Sequence, residues 1–167
     1  MNFKEYQEQA KRTCPSLGSE KLDLAHMVLG IHSEYNEWIS STDEINESEE
    51  LADMLWYLAN YCTFRGYNFS RLFDVELKNN LGVTFNSSKL QDLVKKYIAY
   101  NKEIDMSAES ILLENLADAI SQMYSNKDIL QSLQNNINKL KVRFPEKFDE
   151  ELAKNRDLPA ERKELEK

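Results

Sequence analysis

An all-α fold, a helical bundle built from paired helical hairpins, is what this chain predicts. Three observations carry it. Only four Gly and three Pro interrupt the 167 residues, and charged, Leu-rich segments dominate between them. Acidic residues also fall in pairs spaced i, i+3, and such pairs share a face only on a helix. The length suits one domain, 1–167, with a first half at 3–80, a second half at 88–145 and a charged tail at 149–167.

The elements follow in order. A first helix covers 3–11 and stops before Cys14-Pro15. Ser19 reads as the N-cap of a long helix over 21–38. The next helix runs over 47–64 and ends near Gly66, and a shorter one at 70–80 closes the first half at Leu81-Gly82. A turn at Asn86-Ser87-Ser88 precedes a helix at 90–104, and a break at Asp105-Met106-Ser107 precedes another at 108–124. The last helix, 128–142, is halted by Phe144-Pro145, and the tail from Asp149 is expected to be peripheral.

Composition narrows the function classes. A net charge of −8 argues against nonspecific binding to nucleic acid polymers or anionic membranes, though not against a nucleotide. No apolar run approaches the ~20 residues of a membrane span, and the N-terminal residues lack the apolar stretch of a signal peptide. Cys14 and Cys62 have no metal spacing and read as reduced thiols, so the expected location is the cytoplasm.

Two acid pairs are the most informative feature: Glu34 with Glu37, and Glu50 with Asp53. Twelve residues separate the pairs, enough for a helix end, a turn and a new helix. Two antiparallel helices joined this way bring four carboxylates to one point. Their repulsion in a partly apolar bundle is relieved by a divalent cation, Mg²⁺ or Mn²⁺, and hard cations on oxygen ligands belong with phosphate chemistry. Acid pairs on solvated helix faces are common. Here, however, apolar residues flank both pairs, at Val28, Leu29, Ile31 and Trp38, and at Leu51, Met54, Leu55 and Leu58.

A faint internal repeat accompanies them. A shift of 65 residues aligns Tyr35-Asn36 with Tyr100-Asn101 and Leu51-Ala52-Asp53 with Leu116-Ala117-Asp118. Ala99, Lys102 and Asn115 then stand where the first half has Glu34, Glu37 and Glu50. The second half thus reads as a degenerate hairpin that packs on the metal hairpin and holds no catalytic metal.

Glu34-x-x-Glu37 and Glu50-x-x-Asp53 together resemble the metal signature of the all-α NTP pyrophosphohydrolases, the superfamily of MazG-like proteins and dimeric dUTPases. The run from Glu50 to Leu58 is similar to a MazG-type second metal helix. The segment from Asn136 to Pro145, with Phe148 and Asn155-Arg156, is similar to the closing segment of phage and bacterial MazG-like proteins. Trp38 after the first pair is closer to the dimeric dUTPase version.

The resemblance implies a Mg²⁺-dependent enzyme that cleaves a nucleoside triphosphate between its α and β phosphates, releasing a nucleoside monophosphate and pyrophosphate. Glu34, Glu37, Glu50 and Asp53 are then the metal ligands, with Glu34 or Glu37 as general base. Asn136, Lys139 and Arg143 share a face of the last helix and are expected to contact phosphates, with Lys102 a further cation for the same task. Trp56, one turn after Asp53, either stacks on the base or belongs to the core. A homodimer is expected. The alternatives are a dUTPase-like hydrolase selective for uracil nucleotides and a non-catalytic helical interaction module. His26 and His32 read as ordinary helix residues.

Overall fold

The computed structural model describes residues 1–75 and 81–166. Among them the elements are α1 (Phe3–Arg12), α2 (Glu20–Ile39), α3 (Glu44–Arg65), a short 3₁₀ helix (Phe69–Phe73), α4 (Gly82–Tyr100), α5 (Met106–Ser121), α6 (Asn126–Arg143), α7 (Glu150–Lys154) and α8 (Leu158–Leu165). The protein is all-α. None of these helices is long and apolar enough to cross a membrane.

Short polar side chains set the helix starts. Ser19 accepts a hydrogen bond from the Leu22 amide, Asp43 from Ile45 and Asn46, and Ser125 from Asp128, so each satisfies amides that the first turn leaves unpaired. Gly66 ends α3 at φ 75°, a left-handed conformation that costs a residue without Cβ nothing.

Cross-links at the helix ends fix the directions. Glu20 at the start of α2 pairs with Arg65 at the end of α3 at 3.2 Å, so the two helices are antiparallel. Lys21 donates to the Ile98 carbonyl at 3.3 Å and Thr84 to the Tyr35 hydroxyl at 2.9 Å, which runs α4 antiparallel along α2. Glu109 near the start of α5 is fully buried against the end of α3. It accepts from Tyr61 Oη (2.5 Å), Tyr67 Oη (2.9 Å) and Arg65 Nε and Nη2 (2.8 and 3.0 Å). Both carboxylate oxygens are satisfied, as a buried charge requires. At the other end, Tyr124 donates to Glu47 and accepts from Trp38 Nε1 at 3.2 Å. Helices α2 to α5 form a four-helix arrangement, α1 and α6 lie on α3, and α8 lies on α6. One apolar cluster runs through α1 to α6.

Gly30 sets the spacing of α2 and α3. A Cβ there would lie 2.3 Å from Tyr57 Cδ1, so the ring of Tyr57 packs directly on the α2 backbone. That contact is one turn from Glu34.

Several boundaries differ from the sequence expectations. The helix expected at 70–80 begins as the 3₁₀ helix Phe69–Phe73, and its last part, 76–80, lies outside the described residues. Asn86-Ser87-Ser88 is no turn but the inside of α4. Asn86 Nδ2 donates to the Gly82 carbonyl at 2.7 Å and Ser87 Oγ to the Thr84 carbonyl at 3.1 Å, so these turn-forming side chains bond back to their own helix. Helix α4 stops at Tyr100 because Asn101 adopts φ 51°. Asp105 is the N-cap of α5, so Met106 and Ser107 are already helical. The tail is not peripheral: α8 packs on α6 and buries Glu161.

Candidate functional site

The antiparallel α2–α3 pair brings Glu34 beside Glu50 and Asp53, whose separation of three residues sets both on one face of α3. One carboxylate oxygen of each of these three residues lies within 4.8 Å of the others. Burial, the charge of Asp53 and a hydrogen bond shared with Glu50 push the Glu34 carboxyl up to about 8, with Glu37 adding to the effect. Burial and then Asp53 also raise the Glu50 carboxyl. Carboxylates crowded this closely resist ionising together without a counter-cation. Hard oxygen donors at this spacing fit a divalent cation such as Mg²⁺.

Glu37 was expected to complete the ligand set. It lines the same cavity, but among the described residues the converging group is Glu34, Glu50 and Asp53. Glu37 lies one turn further along α2 and stands beside the cluster.

Asp53 is held from below. Lys139 Nζ lies 2.5 Å from Asp53 Oδ2 and 3.1 Å from Glu49 Oε1, and Lys139 is only 1% exposed. Burial works against the ammonium, yet Asp53 and Glu49 outweigh it and raise the lysine above its ordinary value. Asn136 Nδ2 donates to Asp53 Oδ1 at 2.5 Å, and Tyr6 Oη is 3.2 Å from Asn136 Oδ1 and 3.3 Å from the Ala52 carbonyl. Asn136 and Lys139 were expected to contact phosphates. Instead they are sealed behind Asp53, because the face they share on α6 packs against α3. They orient and neutralise a carboxylate.

A cavity of about 440 Å³ opens above the cluster. Its acidic floor is Glu34, Glu37, Glu49, Glu50 and Asp53, and its aromatic walls include Trp56, Tyr57, Phe144 and Phe148. Trp56 Nε1 donates to Thr13 Oγ1 at 3.0 Å, so its ring is a fixed wall, half-buried between the two roles expected of it. Arg143 reaches the cavity as expected, and Arg156 joins it. Lys102 does not: it is exposed in the connection between α4 and α5 and lines no part of the cavity.

His26 was read as an ordinary helix residue, yet it lines this cavity, edge-on to Tyr57 at 5.5 Å between ring centroids. Burial lowers its pKa against the opposing charge of Asp23, and its Nδ1 is buried without a hydrogen-bond partner among the described residues. Its position on α2, about two turns before Glu34, was the available signal. Arg156 was part of a motif similarity but carried no role. Glu49 and Glu161 gave no functional signal, since nothing in a charged helix or tail marks the acid that will pair with a buried lysine or sit between two arginines.

In the degenerate segment, Leu116 and Ala117 are buried like Leu51 and Ala52. Asp118 is buried as well, accepting from Gln122 Nε2 at 2.7 Å.

The fold and site together define an all-α protein with a carboxylate cluster seated between two antiparallel helices under a mixed cationic and aromatic cavity. Comparison with family models, with curated proteins and with solved structures finds no match to this chain.

Proposed function

We propose that the protein is a Mg²⁺-dependent nucleoside triphosphate pyrophosphohydrolase of the all-α, MazG-like kind, cleaving between the α and β phosphates. One observation carries the reading: three carboxylates from two antiparallel helices converge within 4.8 Å in a cavity that also holds guanidinium and aromatic groups. Anionic floor, cationic rim and aromatic wall match the three parts of a metal nucleotide.

Glu34, Glu50 and Asp53 would hold the cation, which supplies Lewis-acid charge for phosphate oxygens and acidifies a bound water. Lys139 and Asn136 bind the two oxygens of Asp53 and fix its orientation beside the cavity. Glu37, outside the ligating group but in the same cavity, is the base of this proposal. Its carboxylate takes the proton as water oxygen bonds to the α phosphorus, the bond to the bridging oxygen breaks, and pyrophosphate leaves. Arg143 meets the phosphate oxygens, and Trp56 and Tyr57 face the nucleoside.

The test is a panel of ribo- and deoxynucleoside triphosphates, incubated with Mg²⁺, Mn²⁺ or a chelator and read by pyrophosphate release. Metal-dependent release from several nucleotides, lost in Glu50→Gln, supports the proposal. Release from uracil nucleotides alone makes it a dUTPase-like enzyme, and no release from any nucleotide leaves the non-catalytic module.

A further inference from the structure

Glu161 is a buried acid with no part in the proposed chemistry. It is 2% exposed, sits in the first turns of α8 and lies between two arginines from different elements. Its Oε1 accepts from Arg143 Nε at 3.0 Å and from Arg156 Nε at 3.4 Å. Its Oε2 accepts from Arg143 Nη2 at 2.5 Å and from Arg156 Nη2 at 2.7 Å. Each arginine therefore presents the same edge of its fork to a single carboxylate.

Two consequences follow from that sharing. One negative charge faces two positive ones, so the trio carries a net positive charge at the cavity wall, in the same cavity as the carboxylate cluster. Each guanidinium also keeps donors in reserve, because among the described residues neither Nη1 has a hydrogen-bond partner. Arginine presents five donors in a rigid plane, and fixing one edge aims the remainder. A simple staple between α8 and α6 needs one arginine. The second one, in the connection between α7 and α8, is 38% exposed and lines the cavity.

We propose that Arg156 and Arg143 form a two-guanidinium clamp for a polyphosphate chain, with Glu161 as the positioning residue that holds both forks in register. Planar forks match the paired oxygens of phosphate groups, and two of them side by side suit adjacent phosphates. The proposal rests on the pyrophosphohydrolase reading only in its choice of a polyphosphate as ligand.

The experiment uses the full chain with Mg²⁺ and inorganic triphosphate as probe, with binding measured by calorimetry beside nucleotide hydrolysis. Wild type binds triphosphate. Arg156→Lys, which keeps the charge and loses the fork, weakens binding by roughly 10-fold or more, and Arg156→Ala by more again. Glu161→Gln raises KM by a similar factor with kcat changed far less, since it frees the forks without touching the metal cluster. Arg156→Lys keeps the proposal testable should Glu161→Gln fold poorly. No triphosphate binding by wild type overturns the clamp, as does Arg156→Ala binding within about twofold of it. Arg156-dependent triphosphate binding without hydrolysis of any nucleotide would leave the clamp standing and remove the pyrophosphohydrolase reading. Hydrolysis with KM unchanged in Arg156→Ala would do the reverse.

Discussion

Lys139 Nζ lies 2.5 Å from Asp53 Oδ2 with the lysine almost fully enclosed, so the acidic cluster carries its own buried counter-charge. The pair explains how carboxylates can crowd one cavity and the bundle still close around them. Removing one partner of such a pair strands the other, which is costly in a low-dielectric setting.

Lys139→Met is therefore expected to lower the free energy of unfolding by about 3–5 kcal/mol, measured by denaturant titration. Adding Asp53→Asn to Lys139→Met should recover more than ~1 kcal/mol of that loss, because the second change removes the stranded charge. A Lys139→Met protein within ~1 kcal/mol of wild type would show that Lys139 is not the counter-charge.

Glu34→Gln should behave in the opposite way. Glu34 has no cationic partner at hydrogen-bond distance, and burial and the charge of Asp53 push its carboxyl up to about 8. Near neutral pH the metal-free side chain is already largely uncharged, so the amide replaces it at little cost. Without metal, its thermal midpoint should equal or exceed that of wild type. Excess MgCl₂ should raise the midpoint of wild type, by the linkage of binding to folding, and leave the variant nearly unmoved. Equal metal-induced shifts in both proteins would remove Glu34 from the site.

The pH dependence of stability should reveal Glu161. Burial opposes its ionisation, but hydrogen bonds and charge from Arg143 and Arg156 outweigh that and hold its carboxyl down at about 2. A depressed folded-state value means stability that is fully present above the ordinary carboxylate range and is lost as pH falls toward 2. The loss is on the order of 2–3 kcal/mol. Chemical unfolding of wild type against Glu161→Gln should show a stability gap near neutral pH that narrows steadily between about pH 4.5 and pH 2. A gap independent of pH would contradict the charge assignment.

Gly30→Ala gains helix propensity of about 1 kcal/mol yet should destabilise the protein, because its Cβ would overlap the Tyr57 ring. The expected net cost is ~1–3 kcal/mol, the range for overpacking a close contact. Tyr57→Ala in the same chain should abolish that cost and leave the propensity gain. If Gly30→Ala alone proves stabilising, the helices are not held at this distance by the glycine.

The long helices were legible because their signals are local. Ser19 and Gly66 act on the turns next to them, and the acid pairs depend only on a period of 3.6. Lys139 was legible as a cation on a helix face but not as a buried one, since the direction of that face depends on how α6 packs against α3. Asn86 and Ser87 misled for a related reason. Their side chains serve a turn or a helix equally well, and only the surrounding core decides between them. Arg156 and Glu161 act through a contact between the tail and α6, and composition there spoke only of charge.

The chain distance between Asp53 and Lys139 imposes an order of synthesis. They lie 86 residues apart. At roughly 5–20 residues per second of synthesis, the α2–α3 hairpin is made about 4–17 s before the cation that neutralises it. Through that interval Asp53 and Glu49 lack the ammonium that pairs with both of them in the folded chain. Translation thus delivers the anions first and their buried counter-charge last.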